Sequence, residues 1–149
     1  LDDKSKYIYQ ICGSYRREKP TSGDIDVLVS KLDIKDDTDD SINHLDRVVK
    51  RLKKDLTDND NKPLLIDDIT DKNYETKYMG FAKYKDNPVR RIDIRFVSYE
   101  SYHSALLYFT GSAELNKKMR SIARKLKLKL SLIQFSLLIN LLIYSLILI

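Results

Sequence analysis

Residues 13–29, GSYRREKPTSGDIDVLV, decide the fold of this chain. The segment opens with a turn at Gly13, continues as a polar loop and ends in DIDVLV, residues 24–29, where polar and apolar residues alternate before an apolar end. This alternation predicts a β-strand, because successive side chains of a strand point to opposite faces of the sheet. The two aspartates of the strand, Asp24 and Asp26, are therefore expected on the same face.

Outward from this segment, the chain alternates short β-prone runs with amphipathic helices. Strands are predicted over residues 7–12, 24–29, 64–69, 78–84 and 91–97. Helices are predicted from Ser41, from a cap at Ser98 through Tyr108, and from a cap at Ser112 through Leu126. The last two strands flank the turn KDNP and are expected to form a hairpin. The sequence thus predicts an α/β (α+β) fold, a mixed sheet with flanking helices packed on one face.

The composition is compatible with a polyanionic partner. The 149 residues are 33% charged and 42% hydrophobic, with a net charge of +5 and a pI near 9.1. Residues 117–129 hold seven Lys or Arg and no acid, whereas residues 36–40 and 55–71 are acid-rich. A basic cluster of this kind is a weak indication of nucleic-acid binding by itself.

The single cysteine, Cys12, excludes an internal disulfide and favours a reducing, intracellular setting. It lies in the apolar run YIYQIC, so we expect a small buried residue rather than a nucleophile. The first residues, LDDKSK, do not resemble a secretory signal, and we do not expect secretion. The two histidines, His44 and His103, match no motif and are expected to be structural or surface residues.

The last twenty residues, LSLIQFSLLINLLIYSLILI, carry no charged side chain. They are long enough to span a bilayer, with the preceding basic residues on the cytoplasmic side. The composition is also what an AT-rich gene yields when it is read in a wrong frame or past its proper end, which is the explanation we favour. A buried helix is the third possibility. We expect no membrane partner.

Three aspartates are the candidate catalytic and metal-binding residues. Asp24 and Asp26 are two residues apart on one strand, which places their backbones about 6 to 7 Å apart. Two carboxylates this close repel each other unless a cation lies between them, and Mg²⁺ prefers such oxygen ligands. Asp93, in RRIDIRF, can supply a third carboxylate from another strand. Three carboxylates can hold two metal ions, one activating an attacking hydroxyl and the other stabilising leaving phosphates.

The loop before Asp24 fits phosphate binding. Gly13 and Ser14 form a turn whose backbone N–H groups can meet phosphate oxygens. Arg17 has the shape for bidentate phosphate contacts, and Ser22 and Gly23 can close the cradle from the other side. The combination of GS, a short loop and GDIDVLV indicates nucleotidyl transfer without fixing the substrate.

Four segments in this order, GSYRREKPTSGDIDVLV, YETKYMGFAKY, RRIDIRF and LLYFTGSAELNKKMR, resemble the palm and thumb of family X DNA polymerases, the polymerase beta group. The resemblance covers residues 7–129, and the YFTGS segment makes it specific, because other nucleotidyltransferases share only the GS and DxD core. It implies a nucleotidyltransferase palm over residues 1–97, the start of a truncated thumb over 98–129, and an apolar tail over 130–149.

The resemblance also implies roles for individual residues. Asp24, Asp26 and Asp93 would form the metal-binding triad, with Asp93 taking the proton from the primer 3′-hydroxyl. The residues it implies around the incoming nucleotide are Gly13, Ser14, Arg17, Ser22, Gly23, Tyr108, Phe109, Gly111 and Asn116. Those it implies at the DNA are Arg91, Arg95, Lys117 and Arg120, with Arg95 pairing with the aspartates in an inactive conformation.

Three departures from the family pattern stand out. Ala113 replaces a residue that is commonly acidic beside the incoming base, which we expect to alter nucleotide stacking or selectivity. The N-terminal helical domains that grip DNA are not in this sequence, and the apolar tail stands where the thumb would continue. We therefore expect template binding to be weakened.

The function expected from the resemblance is that of a gap-filling or repair DNA polymerase. Its partners would be primer-template or gapped DNA and deoxynucleoside triphosphates, and its cofactors two Mg²⁺ ions that Mn²⁺ can replace. We expect a monomer in the nucleus or at a viral or cytoplasmic replication site. A template-independent terminal nucleotidyltransferase is the alternative enzyme, which the short connection between Ile69 and Tyr78 disfavours. An inactive DNA-binding fragment of a polymerase remains open, and a membrane-bound nucleotidyltransferase is the least favoured.

Overall fold

The computed structural model of the chain describes residues 7–34, 43–54, 62–71, 74–127 and 130. In chain order, the elements within these ranges are β1 (Tyr7–Ile11), α1 (Gly13–Arg16), β2 (Asp24–Lys31), α2 (His44–Lys54), β3 (Leu65–Asp68), β4 (Lys77–Ala82), β5 (Arg90–Phe96), α3 (Tyr99–Thr110) and α4 (Ala113–Lys125). The predicted helix start at Ser41 and the apolar tail beyond residue 130 lie outside the described residues. Among the helices that are described, none is long and apolar enough to cross a membrane.

The five strands form one mixed sheet in the order β1-β2-β5-β4-β3. β2 and β5 run parallel, whereas the β1–β2, β3–β4 and β4–β5 pairs are antiparallel. The predicted mixed sheet is confirmed, and so is the β4–β5 hairpin, in which Ala82 pairs with Arg90. The parallel pair is the one that matters for the site, because its register sets Asp24 opposite Arg91 and Asp26 opposite Asp93.

Helices pack on both faces of this sheet, so the predicted one-sided packing is wrong. Val29 of β2 belongs to a core cluster with Leu45 and Val49 of α2. The next residue back along the strand, Leu28, belongs to a second cluster with Ala105 of α3. Neighbouring strand residues point to opposite faces, so α2 and α3 cover opposite faces of β2. The apolar end of DIDVLV is the sequence signal of a strand buried on both sides.

Capping residues fix the helix starts. Ser98 Oγ accepts a hydrogen bond from Ser101 N at the start of α3, and Ser112 Oγ accepts one from Leu115 N at the start of α4, as predicted. The third helix runs to Thr110 rather than ending near Tyr108. It ends because Gly111 follows with a φ of 75°, in the left-handed region that glycine tolerates.

The first histidine has a structural role, as expected. His44 is buried at the start of α2, where its Nδ1 lies 2.7 Å from the Tyr7 hydroxyl and its ring stacks on Phe96 with centroids 5.3 Å apart. His103 is exposed on α3. Neither histidine contributes to the cavity described below.

We expect Leu45→Ala to destabilise the fold by about 2 to 5 kcal/mol, because Leu45 is fully buried between α2 and the sheet and its truncation leaves a cavity. Urea denaturation followed by circular dichroism measures the change. The control is Leu126→Ala, since Leu126 is 57% exposed and its loss should change stability by no more than about 0.5 kcal/mol. Equal effects of the two substitutions would contradict the assignment of this core.

Candidate active site

The carboxylates lie at one end of the β2–β5 pair. Asp26 and Asp93 are direct partners across the parallel strands, so their backbones are about 4.8 Å apart. Asp24 lies two residues before Asp26 and shares its face of the sheet. All three side chains are half-buried. The sequence predicted Asp24 and Asp26 on one face, and the strand pairing brings Asp93 to them.

Arg91 bridges two of these carboxylates. Its Nη2 donates to Asp24 Oδ2, and its Nε lies 3.4 Å from Asp93 Oδ1. The second contact is an ion pair rather than a hydrogen bond, and the buried Asp93 Oδ1 has no hydrogen-bond partner among the described residues. Within the described residues, Asp26 makes no ion pair. The site therefore holds more negative charge than Arg91 neutralises.

This surplus charge shows in the acidity of Asp26. Burial raises the pKa of the Asp26 carboxyl, and the charges of Asp24 and Asp93 raise it further. Arg91 and Arg17 act in the opposite direction without cancelling these effects. Because the charges of Asp24 and Asp93 add to the effect of burial, a bound cation would relieve the part of the shift that comes from repulsion.

The donor set fits a hard divalent cation. Every candidate ligand is a carboxylate oxygen, the type that Mg²⁺ prefers, and the buried Asp93 Oδ1 accepts no hydrogen bond from the described residues. Across the ranges described above, no three His, Cys, Asp or Glu side chains are already gathered around a single point as metal ligands. Arg91, which pairs with Asp24 and Asp93, occupies two of the three candidate ligands.

The turn before β2 brings the backbone against Asp26. Gly13 has a φ of 59°, and a Cβ added there would lie 2.1 Å from Asp26 Oδ2. Only glycine permits both this conformation and this approach. Residues 13–16 then form α1, a single helical turn where the sequence predicted only a loop. Four residues are too few to show helical periodicity, so the pattern of apolar residues could not predict α1.

Hydrogen bonds close the loop between α1 and β2. Ser14 Oγ and Ser22 Oγ are 2.6 Å apart, and Ser22 Oγ donates to the Asp24 carbonyl at 2.8 Å. Arg17 Nη1 donates to the Thr110 carbonyl at 2.5 Å, which ties the loop to the end of α3. Gly23 has open space where a side chain would lie, so in this structure no close contact requires a glycine there.

The junction of α3 and α4 forms the opposite wall. Asn116 Nδ2 donates to the Tyr108 carbonyl at 2.8 Å, and its buried Oδ1 has no hydrogen-bond partner in the ranges that the structure describes. Arg120 Nη2 donates to the Tyr108 hydroxyl at 3.2 Å, and its guanidinium lies 5.4 Å from the centre of that ring. Tyr108 is thereby fixed from two sides by α4.

A cavity of about 400 Å³ lies between these two walls. Its lining residues are Gly13, Ser14, Arg17, Asp24, Asp26, Tyr108, Phe109, Gly111, Ala113, Asn116, Lys117 and Arg120. All of them except Ala113 were site residues predicted from the sequence, and Ala113 had been noted as a departure from the family pattern. Ligand pockets commonly have this size and this mixture of aromatic and polar groups.

The remaining predicted residues lie beside this cavity rather than in its wall. Asp93 and Arg95 line a smaller space of about 50 Å³ that also touches Asp26 and Cys12. The guanidinium of Arg95 lies 5.7 Å from the centre of the Phe109 ring. In the part of the chain that the structure describes, Asp24 and Asp93 pair with Arg91, and no aspartate of the site pairs with Arg95.

Two contacts of the site could not be predicted from the sequence, whereas the prediction that Cys12 is a buried residue is confirmed. The pairing of Arg91 with the aspartates and the bond from Arg17 to the Thr110 carbonyl have no signal in sequence spacing, because they join distant segments. Cys12 is buried as expected, and burial raises the pKa of its thiol to about 11. It is therefore a poor nucleophile at neutral pH.

A small sheet domain whose paired strands carry three aspartates beside a cavity of ligand size defines a nucleotidyltransferase-like class of protein. The family model of the DNA polymerase beta palm matches residues 2–99, and that of the DNA polymerase beta thumb matches residues 105–134. The chain thus belongs to the DNA polymerase beta family. The thumb match extends into the apolar tail, which the structure does not describe beyond residue 130.

Two curated relatives are DNA polymerases lambda. That of Rattus norvegicus is 36% identical over 126 residues, which cover 80% of this chain and 20% of the relative. That of Arabidopsis thaliana is 32% identical over 124 residues, which cover 76% of this chain and 21% of the relative. The chain spans about a fifth of the length of these relatives.

We expect Asp26→Asn to raise the melting temperature of the metal-free protein at neutral pH, because it removes a charge that burial and two neighbouring carboxylates disfavour. The raised pKa means that the folded chain binds a proton more readily than the unfolded chain. The stability of the wild-type protein should therefore rise as pH falls through that pKa, and the difference between the two proteins should shrink.

Thermal unfolding in EDTA across the acidic pH range measures this difference. The control is Asp71→Asn, since Asp71 is an exposed aspartate away from the sheet end that carries the site. A melting temperature of Asp26→Asn below that of the parent at neutral pH would contradict the surplus of negative charge. A gain of similar size in Asp71→Asn would also contradict it.

Proposed function

We propose that this chain is the catalytic core of a DNA polymerase that adds a deoxynucleotide to a primer 3′-hydroxyl and releases pyrophosphate. The observation that carries the proposal is the pairing of Asp26 with Asp93 beside a cavity lined by Ser14 and Arg17 on one side and Tyr108 on the other. This arrangement offers acidic groups for metal ions and a proton, and a cationic cradle for phosphates, within one site.

Asp24, Asp26 and Asp93 would hold the divalent cations, Mg²⁺ with Mn²⁺ as a substitute. When bound, the cations would lower the pKa of the primer hydroxyl and neutralise the charge on the phosphates. Arg91 must release Asp24 and Asp93 for this to happen, because it pairs with both in the structure described here. Arg91 lies at the exposed end of β5, where the phosphate of a primer strand could take over as its partner.

Asp93 would accept the proton of the primer hydroxyl. Its Oδ1 accepts no hydrogen bond from the described residues, so this oxygen would be available as an acceptor once Arg91 releases it. As the proton leaves, the primer oxygen forms a bond to the α-phosphorus, and the bond from that phosphorus to the bridging oxygen of pyrophosphate breaks. A positioned general base commonly contributes about 10²- to 10⁴-fold to such a step.

The cradle would bind the triphosphate through the start of α1. Ser14 and Ser22 are linked at 2.6 Å, so both hydroxyls lie at the same side of the loop. Arg17 supplies the positive charge from within the cavity. Its bond to the Thr110 carbonyl orients the guanidinium, which reduces the conformational entropy lost when a phosphate binds.

The opposite wall would position the sugar and the base. Asn116 holds the backbone of Tyr108 and Arg120 contacts its hydroxyl and ring, so the ring would offer an oriented surface under the incoming sugar. Ala113 leaves this wall without the carboxylate that the family commonly has there. Lys117 and Arg120 lie on the adjoining turns of α4, where they could contact the template strand.

Templated synthesis on gapped DNA is the form of the reaction that we favour over template-independent addition. The connection from β3 to β4 contains only residues 69–76, too short for a large insertion that would occupy the template path. A gap-filling enzyme of this kind would act in an intracellular compartment that holds DNA, as a monomer.

We expect Asp93→Ala to reduce nucleotide addition by about 10²-fold or more while leaving nucleotide binding largely intact, because Asp24 and Asp26 remain to hold the nucleotide-bound metal. The measurement is extension of a primer across a one-nucleotide gap in duplex DNA with Mg²⁺ and the four deoxynucleoside triphosphates. Nucleotide affinity is measured separately by fluorescence titration.

The control for this experiment is Asp71→Ala, which removes an exposed aspartate away from the site. Retention of near-normal turnover in Asp93→Ala would refute the assignment of the triad. Addition without regard to the template base would favour the terminal transferase alternative. A folded parent chain that binds nucleotide but adds none would favour the inactive fragment.

We expect Arg17→Ala to raise the Kd for deoxynucleoside triphosphates by about tenfold or more, the loss associated with a charge-assisted hydrogen bond. Arg17→Lys should recover only part of the affinity, because an ammonium group cannot bind a phosphate and the Thr110 carbonyl with the fixed geometry of a guanidinium. Arg16→Ala is the matched control, since Arg16 is exposed and does not line the cavity. Unchanged affinity in Arg17→Ala would remove Arg17 from the phosphate site.

A further inference from the structure

Gly111 follows the last residue of α3 and lies directly beside the guanidinium of Arg17. A Cβ added at Gly111 would lie 2.9 Å from Arg17 Nη1 and 3.8 Å from Arg17 Cζ. The third neighbouring atom, Ala113 N, would be 3.5 Å away, which is an ordinary contact distance. Among the described residues, the close contact of such a Cβ is therefore with the Arg17 side chain.

A glycine at the end of a helix also has an ordinary explanation. Gly111 has a φ of 75°, in the left-handed region that favours glycine, and its backbone N–H donates to the Leu107 carbonyl at 3.3 Å. This conformation alone would explain a loss of stability on substitution. It does not explain why a guanidinium from a distant loop occupies the space in which a side chain at residue 111 would lie.

Arg17 occupies this space because it reaches the end of α3. Its Nη1 donates to the Thr110 carbonyl at 2.5 Å. The last carbonyl groups of a helix have no partner within the helix and form the negative end of its dipole, so a cation is stabilised there. Since Gly111 has no side chain, the guanidinium can lie against its backbone while it makes this bond.

The bond to a carbonyl orients Arg17 without neutralising its charge. Within the described part of the chain, no carboxylate forms an ion pair with Arg17. A guanidinium has five N–H donors, and only Nη1 is bonded to the Thr110 carbonyl. Arg17 also lines the cavity. The remaining donors and the full positive charge are therefore available to an anion in the cavity.

We propose that Gly111 is a positioning residue for Arg17, because its missing side chain leaves the space in which the guanidinium is held beside the cavity. A side chain at residue 111 would displace the flexible end of Arg17 rather than the backbone of α3, and the contact with the Thr110 carbonyl would be lost. That the oriented guanidinium binds the triphosphate of a nucleotide rests on the proposed function. This role differs from the contact with the incoming sugar that the family resemblance implies for Gly111.

The test is the affinity of the full chain for inorganic triphosphate with Mg²⁺, measured by isothermal titration calorimetry. Inorganic triphosphate has no sugar, so its affinity reports on the phosphate site and not on a sugar contact. We expect Gly111→Ala to raise its Kd by about three- to tenfold, a part of the loss expected when a hydrogen bond to a charged group is removed. Gly111→Asn should have a similar effect, although asparagine tolerates the left-handed region better than alanine does.

The decisive measurement is the same substitution in a chain that lacks the Arg17 guanidinium. In the Arg17→Ala chain, adding Gly111→Ala should change the Kd by less than about twofold, because the two substitutions remove one interaction. In the Arg16→Ala chain the full effect should persist, since Arg16 is exposed and does not line the cavity. Thermal unfolding provides the separate readout of backbone strain, which should lower the melting temperature whether or not Arg17 is present.

The proposal is overturned if Gly111→Ala weakens the binding of deoxynucleoside triphosphates alone, which would assign Gly111 to the sugar. Equal losses with and without Arg17, or a parent chain that binds no inorganic triphosphate, would also overturn it. Its failure is distinguishable from that of the proposed function. Arg17-dependent losses in a chain that adds no nucleotide would retain the role of Gly111 and remove the catalytic proposal, whereas nucleotide addition with Arg17-independent losses would remove the role of Gly111 alone.

Discussion

The rest of this structure depends on the parallel strands β2 and β5, which carry aspartates at matched positions. The register that places Asp26 beside Asp93 also places Val27 beside Ile94, so the apolar contacts that align the strands bring the carboxylates together. Like charges at this distance oppose folding. The pair can persist because both faces of β2 are covered by helices, and the burial of Leu28 and Val29 on opposite faces offsets the repulsion.

The same constraint explains the position of Arg91. A surplus of negative charge at the end of a sheet attracts a neighbouring cation, and Arg91 is the residue opposite Asp24. Its bridge to Asp93 stabilises the metal-free chain at the carboxylates that a metal ion would need. Stability and the proposed function therefore compete for the same oxygen atoms, as is common where active sites hold charges that folding disfavours.

The sequence was sufficient to predict features that depend on residues close together in the chain. The alternation in DIDVLV predicted the face shared by Asp24 and Asp26, and the serines before α3 and α4 predicted both helix starts. It could not specify which strands pair, because the β2–β5 register joins residues 67 positions apart in the chain. The prediction that helices pack on one face was wrong for the same reason, since tertiary contacts decide which helix covers each face of a strand. The family resemblance, rather than periodicity, predicted the wall around Tyr108 and Asn116.

The cavity draws its two walls from segments far apart in the sequence, and the last turn of α3 is bonded both to the loop that forms one wall and to the helix α4 that completes the other. Arg17 reaches the Thr110 carbonyl from the loop, and Asn116 reaches the Tyr108 carbonyl from α4, so both bonds end on the last turn of α3. A ligand that drew Arg17 toward its phosphates would therefore act on the same turn that orients Tyr108. If Arg17 binds phosphates as proposed, phosphate binding and the position of the opposite wall would be coupled through backbone carbonyls, which substitution of the Thr110 side chain would not remove.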